Sequence, residues 1–318
     1  MPPLEQKASA IGRRLIATAS NFYNADTRQA MWATTSFFLN TFLDHPTSAR
    51  AEFFDTAESV HSTHRQRSRF PRIQPEVKGS ETLFVLGSGP SIGAMTEAQW
   101  EVVKSNDSWG FNQWFRHAHV PTMYVWQGFR KDHATEVAVK TLTARNGDYR
   151  NSVFTVRGDA FNRTDFASSR LGNALHESGA RLHAFSELYF KSWCEMPAWH
   201  AIIEAHHCGF FDEEPNPLPV PKFGATAELL VSLAIRLRYQ RIVLIGIDML
   251  SSRHFWETPT DASEVRHPHL EKSRRRNTSV DYFTALALYA RAYHGIELLN
   301  ASRQSALTDV IPTFIFND

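Results

Sequence analysis

The sequence predicts an α/β fold, a Rossmann-like and mainly parallel sheet with helices on both faces. Three observations predict it. Short apolar runs of strand length recur along the chain, foremost LFVLG (83–87) and IVLIGIDM (242–249). Amphipathic helical segments such as ATAELLVSLAIRLRY (225–239) alternate with them. Glycine, asparagine or aspartate stands where several of these runs end. Strands that alternate with helices leave each crossover helix to cover one sheet face, which makes the strands parallel.

Residues 1–80 form a different region. Leu15, Phe22, Met31, Trp32, Phe37, Phe38, Phe42 and Leu43 recur at three- and four-residue spacing, and they predict a helical N-terminal extension. The stretch MWATTSFFLNTFL (31–43) is apolar enough for a membrane interface. It lacks the Lys/Arg-rich face of an interfacial helix, so packing on the main domain is the favoured reading. Residues 61–80 are basic, polar and proline-containing, as in a linker or extended edge segment.

The nucleotide-binding α/β domain is expected over 81–318. LFVLG (83–87) suits a buried strand because it is a continuous apolar run ending in glycine. TEAQWEVVKSN (96–106) suits a helix capped by Thr96. SWGFN (108–112), TMYVW (122–126) and SVFTV (152–156) read as further strands, and 225–239 as the clearest helix. Next come the strand 242–249, a helix over 280–295 stopped by Gly295, and a last core strand IELLN (296–300). EEPNPLPVPK (213–222), with four prolines, is expected to be a loop. The polar, aromatic-spotted and basic segment 251–278 follows a core strand directly and is expected to form a lid.

Composition excludes several classes. Of 318 residues, 42% are hydrophobic and 21% charged, proportions that allow a sizeable core. The net charge of +1 offers no global field to nucleic acid, and basic patches interleaved with aromatics are too sparse for a nucleic-acid binder. Two cysteines, Cys194 and Cys208, make no disulfide framework. Charges interrupt the N-terminal apolar residues, and no window reaches the roughly 20 apolar residues of a membrane span. A cytoplasmic location is expected, with peripheral contact at the inner face of a membrane left open, as is oligomerisation.

Open parallel sheets bind ligands at the carboxyl ends of their strands. GSGPS follows the first strand, and Gly87, Ser88, Gly89, Pro90 and Ser91 could cradle a phosphate or ribose. It is neither a Walker loop nor a full dinucleotide fingerprint, and a plain strand-to-helix turn is the more common explanation of such a bare motif. Asn112 ends SWGFN, where a carboxamide can read a base or sugar edge or merely make a turn. Asp248 stands at the end of LIGID, at a cleft rim or as a helix cap. Thr226 opens the helix 225–239, either capping it or helping the helix N-terminus hold an anion.

Two clusters compete with these. Cys194, His200, His206, His207 and Cys208 could hold zinc, but their spacing matches no common zinc pattern, so no metal is expected. Arg274, Arg275 and Arg276 are either a solvated face or a grip on an acidic sugar or phosphate. No nucleophile-elbow motif occurs.

GSGPS (87–91), FN (111–112), ATA (225–227) and GID (246–248), taken in this order, resemble the bacterial lipooligosaccharide sialyltransferases. These are inverting enzymes that use CMP-activated sialic acid. The likeness runs over about residues 82–312, and IELLNASRQSALTDVIP (296–312) resembles the family's last strand and following helix. It implies a GT-A-like variant of the fold and a metal-independent glycosyltransferase without further cofactor. The donor would be a CMP-activated sialic or related nonulosonic acid, and the acceptor a glycan or glycolipid such as lipopolysaccharide. The donor would lie across Gly87–Ser91, Asn112 and Thr226.

The chain departs from the family pattern at several positions. The first-loop asparagine is Ser88 here, and the two tyrosines that hold the leaving phosphate are replaced by Leu250 and Trp256. Arg253 and His254 lie between them and could neutralise the phosphate. The general-base position is occupied by Thr278, which leaves His269 or His267 in the lid as the base expected, and Asp248 as the fallback. The alternatives are another nucleotide-binding Rossmann-like protein, either an S-adenosylmethionine-dependent methyltransferase or a non-catalytic homologue.

Overall fold

The computed structural model describes residues 77–126, 132–145, 147–157, 170–189, 218–222, 225–250, 253–257 and 278–316. The predicted N-terminal extension (except 77–80), most of the lid and the Cys194–Cys208 cluster lie outside the described residues.

The described strands are β1 (Thr82–Leu86), β2 (Asp107–Phe111), β3 (Met123–Trp126), β4 (Val153–Arg157), β5 (Arg181–Tyr189), β6 (Leu218–Lys222), β7 (Arg241–Ile245) and β8 (Glu297–Asn300). The described helices are α1 (Glu97–Lys104), α2 (Asp132–Ala144), α3 (Arg170–Glu177), α4 (Thr226–Arg236) and α5 (Ser279–His294). The strands form one sheet in the order β6-β5-β4-β3-β2-β1-β7-β8, and every neighbouring pair is parallel. The predicted Rossmann-like class is the observed one.

Side-chain alternation splits the core into two layers. Leu83, Val85, Ile242 and Leu244 join residues of α4 and α5 on one face. Phe84, Leu86, Val243 and Ile245 join Trp100, Val103, Leu142 and Leu175 from α1, α2 and α3 on the other. Central strands covered on both faces need apolar residues at every position, which is why 83–86 and 242–245 are continuous apolar runs. Thr226 to Ile235 are all buried; α4 packs on β1, β2 and β6 and against α5, which also packs on β8.

Several boundaries follow from local chemistry. Thr96 caps α1 through a reciprocal capping box with Gln99. Gly295, at φ 64°, closes α5 in the left-handed region. The apolar run 242–249 suggested a longer β7, but Gly246 at φ 68° and Met249 at φ 59° turn the chain after Ile245.

Three expectations need correction. Residues 213–222 were expected to form a loop, yet Leu218–Lys222 is the edge strand β6. Pro219 and Pro221 are two apart, so their missing N–H groups fall on one side, and an edge strand pairs on only one side. Thr226 is the first residue of α4 rather than its cap; the cap position is Ala225, whose N–H donates to Glu228 Oε2 at 2.9 Å. After β8 the chain makes turns over 303–311 instead of a regular helix.

Candidate functional site

The strand order changes direction between β1 and β7. The chain moves outward from β1 to β6, then returns through α4 to lay β7 on the opposite side of β1. Crossovers leaving the two strands diverge there, and this topological switch point is where such sheets open a crevice.

The turns after β1 and β7 interlock at this point. Gly87 N–H donates to Ile245 O at 2.7 Å, and Gly89 N–H to Gly246 O at 2.8 Å. A Cβ at Gly87 would lie 2.3 Å from Gly246 O, and one at Gly89 would lie 2.4 Å from Asp248 Oδ2. The glycines of GSGPS therefore serve the approach of one turn to the other. Their N–H groups are committed within the fold, which departs from the cradle expected from sequence.

Asp248 is 6% exposed and binds the first turn through one residue. Ser91 N–H donates to its Oδ2 at 2.8 Å, and the Ser91 hydroxyl donates to its Oδ1 at 2.5 Å. Ser302, just beyond β8, accepts from Gly246 N–H at 3.0 Å and lies 3.0 Å from Ser91 Oγ. With the Ser91 proton given to Asp248, the Ser302 hydroxyl is the donor in that pair. Asn300 holds Ser302 in place by two hydrogen bonds to its backbone. Ser302 carried no signal in the sequence beyond its position after a strand.

The start of the predicted lid is tied to the same turn. Phe255 N–H donates to Ser88 O at 2.9 Å, and Ser88 Oγ lies 2.9 Å from His254 Nδ1. The His254 ring stacks on Trp256 with centroids 4.4 Å apart, and the Arg116 guanidinium sits 5.2 Å from the Trp256 ring. His254 N–H donates to Glu257 Oε2 at 2.7 Å. Burial pushes the His254 imidazole below its ordinary value, with Glu257 opposing, so the ring is neutral at pH 7. Phe255 packs against Trp114 and His117 at 5.6 and 5.4 Å.

The remaining expected site residues are placed as follows. Asn112 follows β2 with φ 55°, a left-handed conformation that asparagine tolerates, and its carbonyl accepts from the Tyr124 hydroxyl. Thr226 is buried in the first turn of α4, which starts at the sheet's carboxyl edge because β6 ends there. Arg253 and Trp256 are half-buried, and Leu250 is exposed. His267, His269 and Arg274–Arg276 lie outside the described residues. Arg116 and His117 were not singled out in the sequence, because nothing local to the connection after β2 marks it as lying under the lid.

No protein-family model and no curated protein matches the chain. Among solved structures, it is similar to the sialyltransferase CST-II crystallised with a trisaccharide acceptor and CMP. That pair has 14% identity over 73% of this chain and 85% of the other, with a TM-score of 0.40. It is also similar to the monofunctional alpha-2,3-sialyltransferase Cst-I from Campylobacter jejuni, at 15% identity over 79% and 85%, TM-score 0.40. A third is CstII from Campylobacter jejuni with cytidine-5'-monophosphate, at 12% identity over 73% and 84%, TM-score 0.39. No helix among the described residues is long and apolar enough to cross a membrane.

Proposed function

We propose that this chain is a sialyltransferase-like glycosyltransferase that moves a nonulosonic acid from its CMP ester to a glycan or glycolipid acceptor. One observation supports this reading above the others. Sequence pieces far apart in the chain, GSGPS and GID, meet in hydrogen-bonded contact at the switch point. Asn112 follows the strand beside β1, and Thr226 opens α4 at the same carboxyl edge. This is the set, in the same chain order, that carries the resemblance to the bacterial lipooligosaccharide enzymes.

In an inverting transfer the acceptor oxygen bonds to the anomeric carbon as the bond from that carbon to the phosphate oxygen breaks. The acceptor proton passes to a base, and the phosphate leaves with the electron pair. Both oxygens of Asp248 are engaged by Ser91, so in this reading Asp248 holds the first turn. It could act as base only by giving up one of those hydrogen bonds. His269 or His267 is the base we propose, because an imidazole titrates near neutral pH without large tuning.

Thermal-shift measurements against CMP, CDP, UDP and S-adenosylmethionine test the reading, together with sialic acid transfer from the CMP ester to a panel of glycan acceptors. The expected outcome is stabilisation by the cytidine nucleotides and measurable transfer. Stabilisation by S-adenosylmethionine alone overturns it in favour of a methyltransferase. CMP binding without transfer to any glycan points to the non-catalytic homologue.

A further inference from the structure

We propose that Ser302 is a positioning residue of the β1–β7 switch point, and that the strap formed by residues 312–316 sets it in place. The inference rests on the nucleotide-sugar reading for the identity of the ligand only. Phe314 and Phe316 of the strap lie beyond residue 312, where the family likeness ends.

Ser302 joins three pieces of chain through one hydroxyl. It stands just after β8, and its Oγ accepts from Gly246 N–H at 3.0 Å, in the turn after β7. The same hydroxyl donates to Ser91 Oγ at 3.0 Å, in the turn after β1. Ser91 Oγ in turn donates to Asp248 Oδ1 at 2.5 Å. The donors run in one direction, from Gly246 through Ser302 and Ser91 to Asp248, so each bond polarises the next. The middle of such a chain must accept and donate at once, which is why position 302 needs a hydroxyl. Ser302 is 3% exposed and therefore acts through Ser91, not on a ligand.

The strap fixes where that hydroxyl stands. Asn300 Nδ2 donates to Ser302 O at 3.0 Å, and its Oδ1 accepts from Ser302 N–H at 3.1 Å. The backbone of Asn300 is held by the strap: its N–H donates to Pro312 O and its O accepts from Phe314 N–H, each at 2.9 Å. Both strap phenylalanines then pack on Phe84 of β1, Phe314 edge-on at 5.7 Å and Phe316 stacked at 6.2 Å. The topology explains why they are there. The helices on the second face, α1 to α3, come from crossovers between β1 and β5. The crossovers that lead into β7 and β8 put α4 and α5 on the first face. Among the described residues no crossover helix covers β7 and β8 on the second face, and Phe314 and Phe316 pack against that layer instead. Burial of the strap on β1 thus also orients Asn300, and through it Ser302.

Amide exchange and calorimetric titration on the full chain test the proposal. Phe314→Ala and Ser302→Ala should each speed exchange at the Ser91 and Gly89 amides, while the Gly79 and Ser80 amides bonded to Asp107 keep the native rate. Each variant should weaken CMP by about five- to tenfold, the weight of one hydrogen bond. The double variant should lose no more than the worse single one, because both act through one route. Ser302→Thr, which keeps the hydroxyl, should retain most of the affinity. Where Phe314→Ala does not fold, Phe314→Leu should shift exchange and affinity in the same direction by less. Folded variants with native exchange at Ser91, or with native CMP affinity, overturn the proposal, and so do losses that multiply in the double variant. Failure of the native protein to bind any nucleotide overturns the nucleotide-sugar reading instead, and the exchange rates at Ser91 and Gly89 then decide the strap by themselves.

Discussion

Two aspartates sit at opposite edges of the same sheet, equally buried and doing different work. Asp107 opens β2 at the amino edge, and Asp248 follows β7 at the carboxyl edge; each is 6% exposed. Asp107 Oδ2 accepts from Gly79 N–H at 2.7 Å, Ser80 N–H at 2.9 Å and the Tyr239 hydroxyl at 2.8 Å. Burial, reinforced by Asp107, holds the Tyr239 phenol far above its ordinary value, so it remains a donor. This site stitches the chain entering β1 to β2 and to the segment before β7. The Asp248 carboxylate engages one residue among those described, Ser91, and through it Ser302 and the turn that carries Ser88 beside His254. A buried, hydrogen-bonded carboxylate is therefore no sign of chemistry in itself. Strand polarity decides, because in a parallel sheet the crossovers part only at the carboxyl edge.

The comparison can be broken by substitution, and the largest effect is expected at the amino edge. Asp107→Ala orphans a buried phenol, at about 1–3 kcal/mol, and removes the acceptor of two partly solvated backbone N–H groups, so a loss of about 3 kcal/mol in chemical denaturation is expected. Nucleotide-dependent stabilisation of the folded fraction should persist. Loss of nucleotide response at unchanged stability would reverse the roles assigned to the two aspartates.

A smaller effect on stability, but a direct one on the site, is expected at Gly89. A methyl group there meets Asp248 Oδ2 at 2.4 Å, so Gly89→Ala must push the two turns apart. Overpacking of this kind costs about 1–3 kcal/mol. The nucleotide-induced rise in melting temperature should vanish with it, which Asp107→Ala does not predict. A stable Gly89→Ala protein with native nucleotide response would mean that the interlock does not support the site.

The smallest effect is acid sensitivity shared by both edges. Burial, helped by Arg145, lowers His117 to about 4; burial, with His117 as the next cause, lowers His119 to about 4; and burial with Arg238 lowers His294 to about 4. These folded values lie below the unfolded value near 6.5, so the unfolded chain binds more protons between the two. Stability should be complete above about pH 7 and fall as the pH drops from about 6.5 toward 4. The rings are half-buried, so solvent screening makes each contribution modest. Melting curves at pH 7 and pH 5.5 should show the fall, and His294→Gln should reduce it from the amino edge alone. A melting temperature that rises on acidification would contradict the burial of all three.

How much was legible in advance differs by residue. The strands at the centre of the sheet were readable because burial on both faces demands an unbroken apolar run, as in 83–86 and 242–245. β5 and β6 were not, because Arg181–Tyr189 mixes polar and apolar residues and β6 contains prolines that only an edge can accept. Asp248 was found because it follows an obvious strand. Asp107 was passed over because it precedes a weaker one.

The same division holds for the site. Local sequence determined that there would be glycine turns, a capped α1, a left-handed stop at Gly295 and a carboxylate after the clearest strand, because each depends on the conformational limits of a few adjacent residues. Only the tertiary structure decided what those pieces touch. Ser91 reaches Asp248 across 157 residues, Ser88 reaches His254 across 166, and Ser91 reaches Ser302 across 211. These contacts exist because β7 inserts beside β1, and that pairing comes from how two buried faces close around one sheet, which no short window of sequence contains.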